Sequence, residues 1–272
     1  DGHVYSGDFK DDKREGKGTL VYSDGAEYTG DWVDDNVEGV GKMTYSNGAI
    51  YEGEWRNDMA NGKGKLINDD GSEYEGEFED DTMNGYGVLK FPDGSYYEGE
   101  FESDQMHGTG TYKYENGSVY TGPFVDDLRE GEGVCVYANG DKYEGSYSRG
   151  VKHGKGKIYY SNGSCYSGQI SNGRVHGFGT FQFTNGDVYE GGFNQEEMEG
   201  ECKMTYKNGN VYIGAIKNDK REGFGKMIFK DGGYYEGNFV NGMAECENGV
   251  WVFPDGEKYE GQFKSNHPNG LG

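Results

Sequence analysis

"YEGEWRNDMANGKGKLINDDGSEYEGEF" occupies residues 51–78, and it opens and closes on the same phrase. YEGEW stands at 51–55, YEGEF at 74–78, and YEGEF again at 97–101. A motif that returns every 23 residues marks a repeat architecture. With the Tyr of YxG as position zero, the register falls at Tyr5, Tyr28, Tyr51, Tyr74, Tyr97, Tyr120, Tyr143, Tyr166, Tyr189, Tyr212, Tyr235 and Tyr259. Ten spacings are 23 and the last is 24. One register therefore covers residues 1–272, regular to about 188 and irregular from about 189, and it leaves no room for a second domain.

Composition alone points elsewhere. Leu, Ile, Val and Phe make about 16% of the 272 residues, and the net charge is −23, figures that ordinarily accompany disorder. Against them stand 24 Tyr, 14 Phe and 51 Gly. A chain short of aliphatic residues can be ordered by repetition, each unit burying a little against its neighbours. No run of 18 apolar residues occurs and no signal-peptide core is visible. The four cysteines include no CxxC pair, so a reduced, cytoplasmic setting is expected. The start at Asp1 without Met reads as a fragment or a processed form.

Three residues before each register Tyr stands a Gly, preceded every time by Asp or Asn. Asx-Gly supplies the two positive-φ residues of a type I′ turn, so that turn is expected there. Eleven and thirteen residues after the Tyr comes a GxG, as at Gly62 and Gly64. The acidic stretch between the two motifs reads as the other hairpin loop. Each repeat is then two short strands. Twelve repeats predict about 24 strands, a sheet on the order of 110 Å long before twist.

In a strand, alternate residues share a face. Positions 0, +2 and +4 bring together Tyr, Gly and a large apolar residue: Trp32, Trp55, Phe78, Phe101 and Phe124 in the regular repeats. On the second strand +11, +13, +15 and +17 read Gly, Gly, apolar, aromatic, with Tyr22, Tyr45, Phe91 and Tyr114 at +17. The other face carries Glu52, Glu54, Lys63 and Lys65. A position without Cβ leaves a trough in which a neighbouring ring can lie. Helix is not expected beside so much Gly.

The unit at 51–73 resembles the MORN (membrane occupation and recognition nexus) repeat, whose pattern is Y-x-G-x-W/F, a loop, GxG, and D/N-G before the next Tyr. The resemblance implies an all-β fold: an elongated, twisted, single-layer antiparallel sheet of tandem hairpins with a groove along one face. It also implies scaffolding or tethering at membranes or the cytoskeleton, and some members carry a kinase or methyltransferase domain. The sequence departs from the pattern at position +7, which is acidic in eight repeats including Asp35, Asp58 and Asp81. Cys202 replaces the second glycine of the ninth GxG, the eleventh repeat carries the extra residue, and the twelfth stops at Gly270-Leu271-Gly272.

Chemistry-bearing residues are sparse. Equivalent positions lie two strands apart, about 9–10 Å, too far for His153 and His176 to share one zinc within a chain. The cysteines occupy four different repeat positions and build no common site. No metal, cofactor or catalytic set is expected. The loop acids read as a solvated rim, with calcium or basic segments as the alternative. The charge opposes nucleic acid. It also weighs against an anionic membrane, so membrane or phosphoinositide attachment is the alternative reading, as is the regulatory part of a larger enzyme.

The expected function is a non-enzymatic scaffold that binds proteins. Its expected groove is lined by Tyr22, Trp32, Tyr45, Tyr51, Trp55, Tyr74, Phe78, Phe91, Tyr97, Phe101, Tyr114 and Phe124. The expected partner is an amphipathic helix with flanking Lys or Arg. Self-association is expected through the irregular C-terminal repeats.

Overall fold

Asn57 and Asp58, with φ of 49° and 65°, turn the chain between strands Ile50–Arg56 and Met59–Ile67. Two adjacent left-handed residues make the type I′ turn, and polar Asn and Asp tolerate that conformation best. The type I′ turn therefore lies in the acidic loop, not at the Asx-Gly pair. At the Asx-Gly pair only the glycine has positive φ, 85° at Gly71. There the Gly71 amide donates to the Asn68 carbonyl at 3.1 Å and the Asn68 amide to the Ser72 carbonyl at 2.9 Å. This is a type I turn closed by a left-handed glycine. The sequence expectation put the right turn on the wrong loop, because Asx-Gly suits both.

The computed structural model describes residues 2–270, so Leu271 and Gly272 of the last repeat lie outside the described residues. It contains 26 strands. The count exceeds 24 because two second strands are interrupted, at Glu130 and at Glu245. The chain forms two compact units, one running to Ala138 and one from Asn139, with six repeats each. Within each unit successive strands pair antiparallel, both halves of an interrupted strand pairing with the strand before it, to give a single open layer of hairpins.

The pairing is not uniform along a hairpin. Gly53 faces Gly64 and Trp55 faces Ala60, so Glu54 alone opposes the three residues 61–63. This is a β-bulge, and Gly62 at its centre has φ of 68°. A Cβ on Gly62 would meet the Glu54 Oε2 at 2.6 Å, so position +11 lies toward the polar side. The expectation that +11 shares the aromatic face fails for this reason: the bulge resets the period of two. Glu54 Oε1 in turn accepts the Lys63 amide that the bulge leaves without a ladder partner, at 3.2 Å.

Candidate functional site

One face of each unit is built around the register tyrosines. Gly53 and Gly64 sit opposite one another, and the Tyr51 ring lies across them; a Cβ on Gly64 would come within 2.5 Å of its Cε2. In all twelve repeats the phenol OH donates to the carbonyl three residues on, 2.9 Å from Tyr51 to Glu54. The glycine pair is thus the seat of the ring, as the trough argument expected. Burial pushes the buried phenols Tyr120 and Tyr166 up to about 12, and Tyr28, Tyr51 and Tyr74 further still.

In the first five repeats each seated ring meets two others edge to face, whereas Ile170 and Ile216 stand at +4 in later repeats and interrupt the run of rings. Tyr51 lies 5.0 Å from Trp55 of its own repeat and 4.9 Å from Phe78 of the next. The zigzag runs on through Tyr74, Phe101, Tyr97 and Phe124 at 5.0 to 5.1 Å. Trp32 and Trp55 also donate their indole N–H to the Gly18 and Gly41 carbonyls. Edge-to-face pairs add about 0.5–1.5 kcal/mol each beyond the area they bury.

This spine is the core. Trp32, Tyr51, Trp55, Tyr74, Phe78, Tyr97, Phe101 and Phe124 are all buried, none exposed beyond 5%. Eight of the twelve residues expected to line a groove are thus already covered by one another. The remaining four sit at the type I turns: Tyr22, Phe91 and Tyr114 are half-buried and Tyr45 is 38% exposed. Beside them lie residues that the sequence reading did not single out, Met43, Leu66, Leu89 and Tyr112, half-buried opposite the register tyrosines. Tyr112 packs 4.6 Å from Tyr114 and 6.1 Å from Phe91. The accessible part of the aromatic side is this outer row, and the alternation at +15 and +17 was its signal.

The loop acids have a structural task. Asp58 Oδ1 accepts the Val37 amide at 2.7 Å, while the Asp58 amide donates to the Val37 carbonyl at 3.1 Å. Asp35, Asp81, Asp104 and Asp127 repeat this reciprocal clasp on the preceding hairpin. The reading of these carboxylates as a merely solvated rim is corrected: each fastens two repeats. The Arg14 amide bonded to Asp35 holds that carboxyl below its ordinary range.

The polar face of the first unit bears a hollow of about 710 Å³ whose Lys63, Lys65 and Lys90 are interleaved with Glu52, Glu73, Glu75 and Glu77. Lys65 pairs with Glu73 at 2.9 Å. His107 lies 3.3 Å from Glu102. Among the described residues no three His, Cys, Asp or Glu side chains converge as a metal site would require. Cys135 and Cys202 are buried and free, and burial pushes the Cys202 thiol up to about 12. No helix among the described residues is long and apolar enough to cross a membrane.

Comparison with known proteins follows the same register. The MORN repeat family model matches twelve consecutive segments, from 5–27 to 259–272, including the four irregular ones. A search of curated proteins found no match. Among solved structures, the wild-type TCP10 domain of Danio rerio CPAP is 14% identical, with TM-score 0.43, over 74% of this chain and 98% of that one. The SAS-4 (dCPAP) TCP domain of Drosophila melanogaster, in complex with a proline-rich motif of Ana2, is 16% identical, with TM-score 0.39, over 57% and 85%. Likeness at this level carries no functional argument.

Proposed function

We propose, starting from the fact that this chain belongs to the MORN repeat family, that it is a non-enzymatic scaffold whose aromatic side binds partner proteins. The observation that carries this reading is the outer row of half-exposed rings, Tyr22, Tyr45, Phe91 and Tyr114, held in place by a buried spine. Rings fixed on a rigid support bind with little further loss of freedom, and Tyr is enriched among interface hot spots. The net charge of −23 favours a ligand with apolar anchors flanked by Lys or Arg. An amphipathic helix meets that description. Self-association through the repeats after residue 188, and a cytoskeletal or membrane-associated location, belong to the same proposal.

The membrane alternative draws less support. The cations of the polar hollow are interleaved with carboxylates, whereas an anionic leaflet attracts unmatched Lys and Arg. The test combines Tyr45→Ser, Phe91→Ser and Tyr114→Ser, with Lys63→Ser and Lys65→Ser as the polar-face control. Circular dichroism first establishes that both variants keep the sheet. The ring variant is expected to lose the proteins that the parent captures, and the lysine variant to keep them. If only the lysine variant loses them, recognition lies on the polar face. If phosphoinositide vesicles float the parent and both variants alike, the scaffold reading gives way to membrane attachment.

A further inference from the structure

Position +9 of each repeat projects on the aromatic side, next to the +4 residue of its own hairpin. In the first repeat it is Arg14, 4.1 Å over Trp32. Its charge is matched: Arg14 Nε lies 3.2 Å from Asp35 Oδ1, and Nη2 donates to the Asp35 carbonyl. In the tenth repeat the same position is Arg221, 5.8 Å over Tyr212 and 5.1 Å over Phe239. Its Nη2 donates to the carbonyl of Gly242. Gly242 stands where the second repeat has Asp35, so the carbonyl half of the pairing is kept and the carboxylate half is gone. Among the described residues Arg221 forms no ion pair.

The irregular eleventh repeat places an unusual residue beside this cation. Trp251 pairs across from Tyr235, stacks on Phe229 at 5.2 Å and lies parallel to Phe263 at 6.4 Å. Arg221, Phe229, Trp251 and Ala244 help enclose a hollow of about 390 Å³. Arg221 is the one charged side chain in its lining, which contains no carboxylate, in a chain with 49 acidic residues. Asn208 and Asn210 use their side-chain carbonyls on the amides of Asn210 and Lys230, leaving their NH₂ groups as further donors. An unmatched guanidinium, amide donors and stacked rings in one hollow call for a ligand both anionic and apolar.

We propose that this hollow binds the free C-terminal carboxylate of a peptide ending in an apolar residue. The carboxylate lies on Arg221, and the terminal side chain packs against Trp251 and Phe229. A terminal residue carries both groups on one carbon and ends there, which suits a space of this volume. An internal Asp or Glu would bring its chain onward over a strongly acidic protein. The inference deepens the scaffold reading and rests on it only in taking the ligand to be a polypeptide. Loss of the Tyr45, Phe91 and Tyr114 row leaves it untouched.

The test is calorimetric titration of the whole chain with acetyl-Gly-Lys-Leu-Phe as the free acid, as its C-terminal amide, and with decanoate. The free acid is expected to bind at least tenfold tighter than the amide. Gly242→Asp is the decisive variant. Gly242 has φ of 85°, close to the 73° that Asp35 adopts, and a Cβ there meets nothing within 4 Å. The substitution recreates the Arg14–Asp35 pairing, so the protein keeps its thermal midpoint while the preference for the acid disappears. Trp251→Leu is expected to weaken acid and amide alike. Equal binding of acid and amide by the parent, or a preference that survives Gly242→Asp, overturns the proposal. So does decanoate binding more tightly than the peptide acid, which would make the hollow a site for a lipid acid.

Discussion

Replacing Gly53 by Ala should unseat a ring although it adds only one methyl. Strand propensity alone would call the change mildly favourable. In the structure the new Cβ meets the Gly64 Cα at 2.5 Å and the Lys63 carbonyl oxygen at 2.7 Å, both backbone. It also meets the Tyr51 OH at 2.6 Å. The two strands must part or the ring must lift. Overpacking of this kind costs about 1–3 kcal/mol. Lifting Tyr51 also surrenders its bond to Glu54, about 1 kcal/mol, and weakens its contacts with Trp55 and Phe78, about 0.5–1.5 kcal/mol each. The expected loss is therefore about 4 kcal/mol. Gly64→Ala is the comparison. There the new atom meets the edge of the ring, and repeat nine already carries Cys202 at this position while Tyr189 keeps its bond to Gly192 at 2.7 Å. That variant should lose about half as much or less. Urea unfolding followed by tryptophan fluorescence reads both, since Trp55 touches the affected ring. Cooperativity across a repeat array is local, so the midpoint is taken from this probe. Equal midpoints for the two variants, or a Gly53→Ala loss within about 0.5 kcal/mol of the parent, would refute the seat argument.

Two further outcomes follow from the same geometry. Asp81→Ala should cost about 2 kcal/mol, because it deletes the bond to the Ala60 amide and puts Ala at positive φ. Asp81→Asn should stay within about 0.5 kcal/mol of the parent, since Asn266 already makes that bond to the Ala244 amide at 2.7 Å. Equal losses in urea would mean that charge, not the bond, matters. The spine phenols predict alkaline unfolding. Their folded pKa values lie above the unfolded value near 10, so the fold holds more protons in that window. Stability is complete below about pH 10 and falls above it by about 1.4 kcal/mol per pH unit for each such Tyr. Absorbance at about 295 nm should therefore rise in one step with loss of the β-sheet signal; smooth tyrosinate formation in a folded sheet would contradict the burial.

The repeat, its two strands and its aromatic face were legible because a period of 23 and a period of 2 are both written in residue types. The seat of Tyr51 on Gly53 and Gly64 was legible for the same reason. The bulge at Gly62 was not, since a glycine two residues before another glycine looks like plain alternation. Nor was the turn at Asn57-Asp58, because polar pairs mark many loops. The site was read less well than the fold. Trp55 and Phe78 are large and apolar whether they face a partner or the next ring, and only the spacing between hairpins decides that Tyr51 and Tyr74 cover them. The pairing of Arg14 with Asp35, and its loss at Arg221, joins residues 21 apart and needed coordinates to be seen.

Every ladder partner in either unit is close in the chain. The widest pairing, Tyr234 with Val252, spans 18 residues, and the clasp between hairpins, Arg14 with Asp35, spans 21. Sheet proteins usually fold slowly because distant segments must meet before any contact rewards the search. Here no distant segments need to meet. The contact order is that of a helical protein written in strands, so a hairpin formed anywhere can serve as the template on which the next one is laid. Growth of that kind suits a chain emerging in sequence order, each repeat finding its partner already in place.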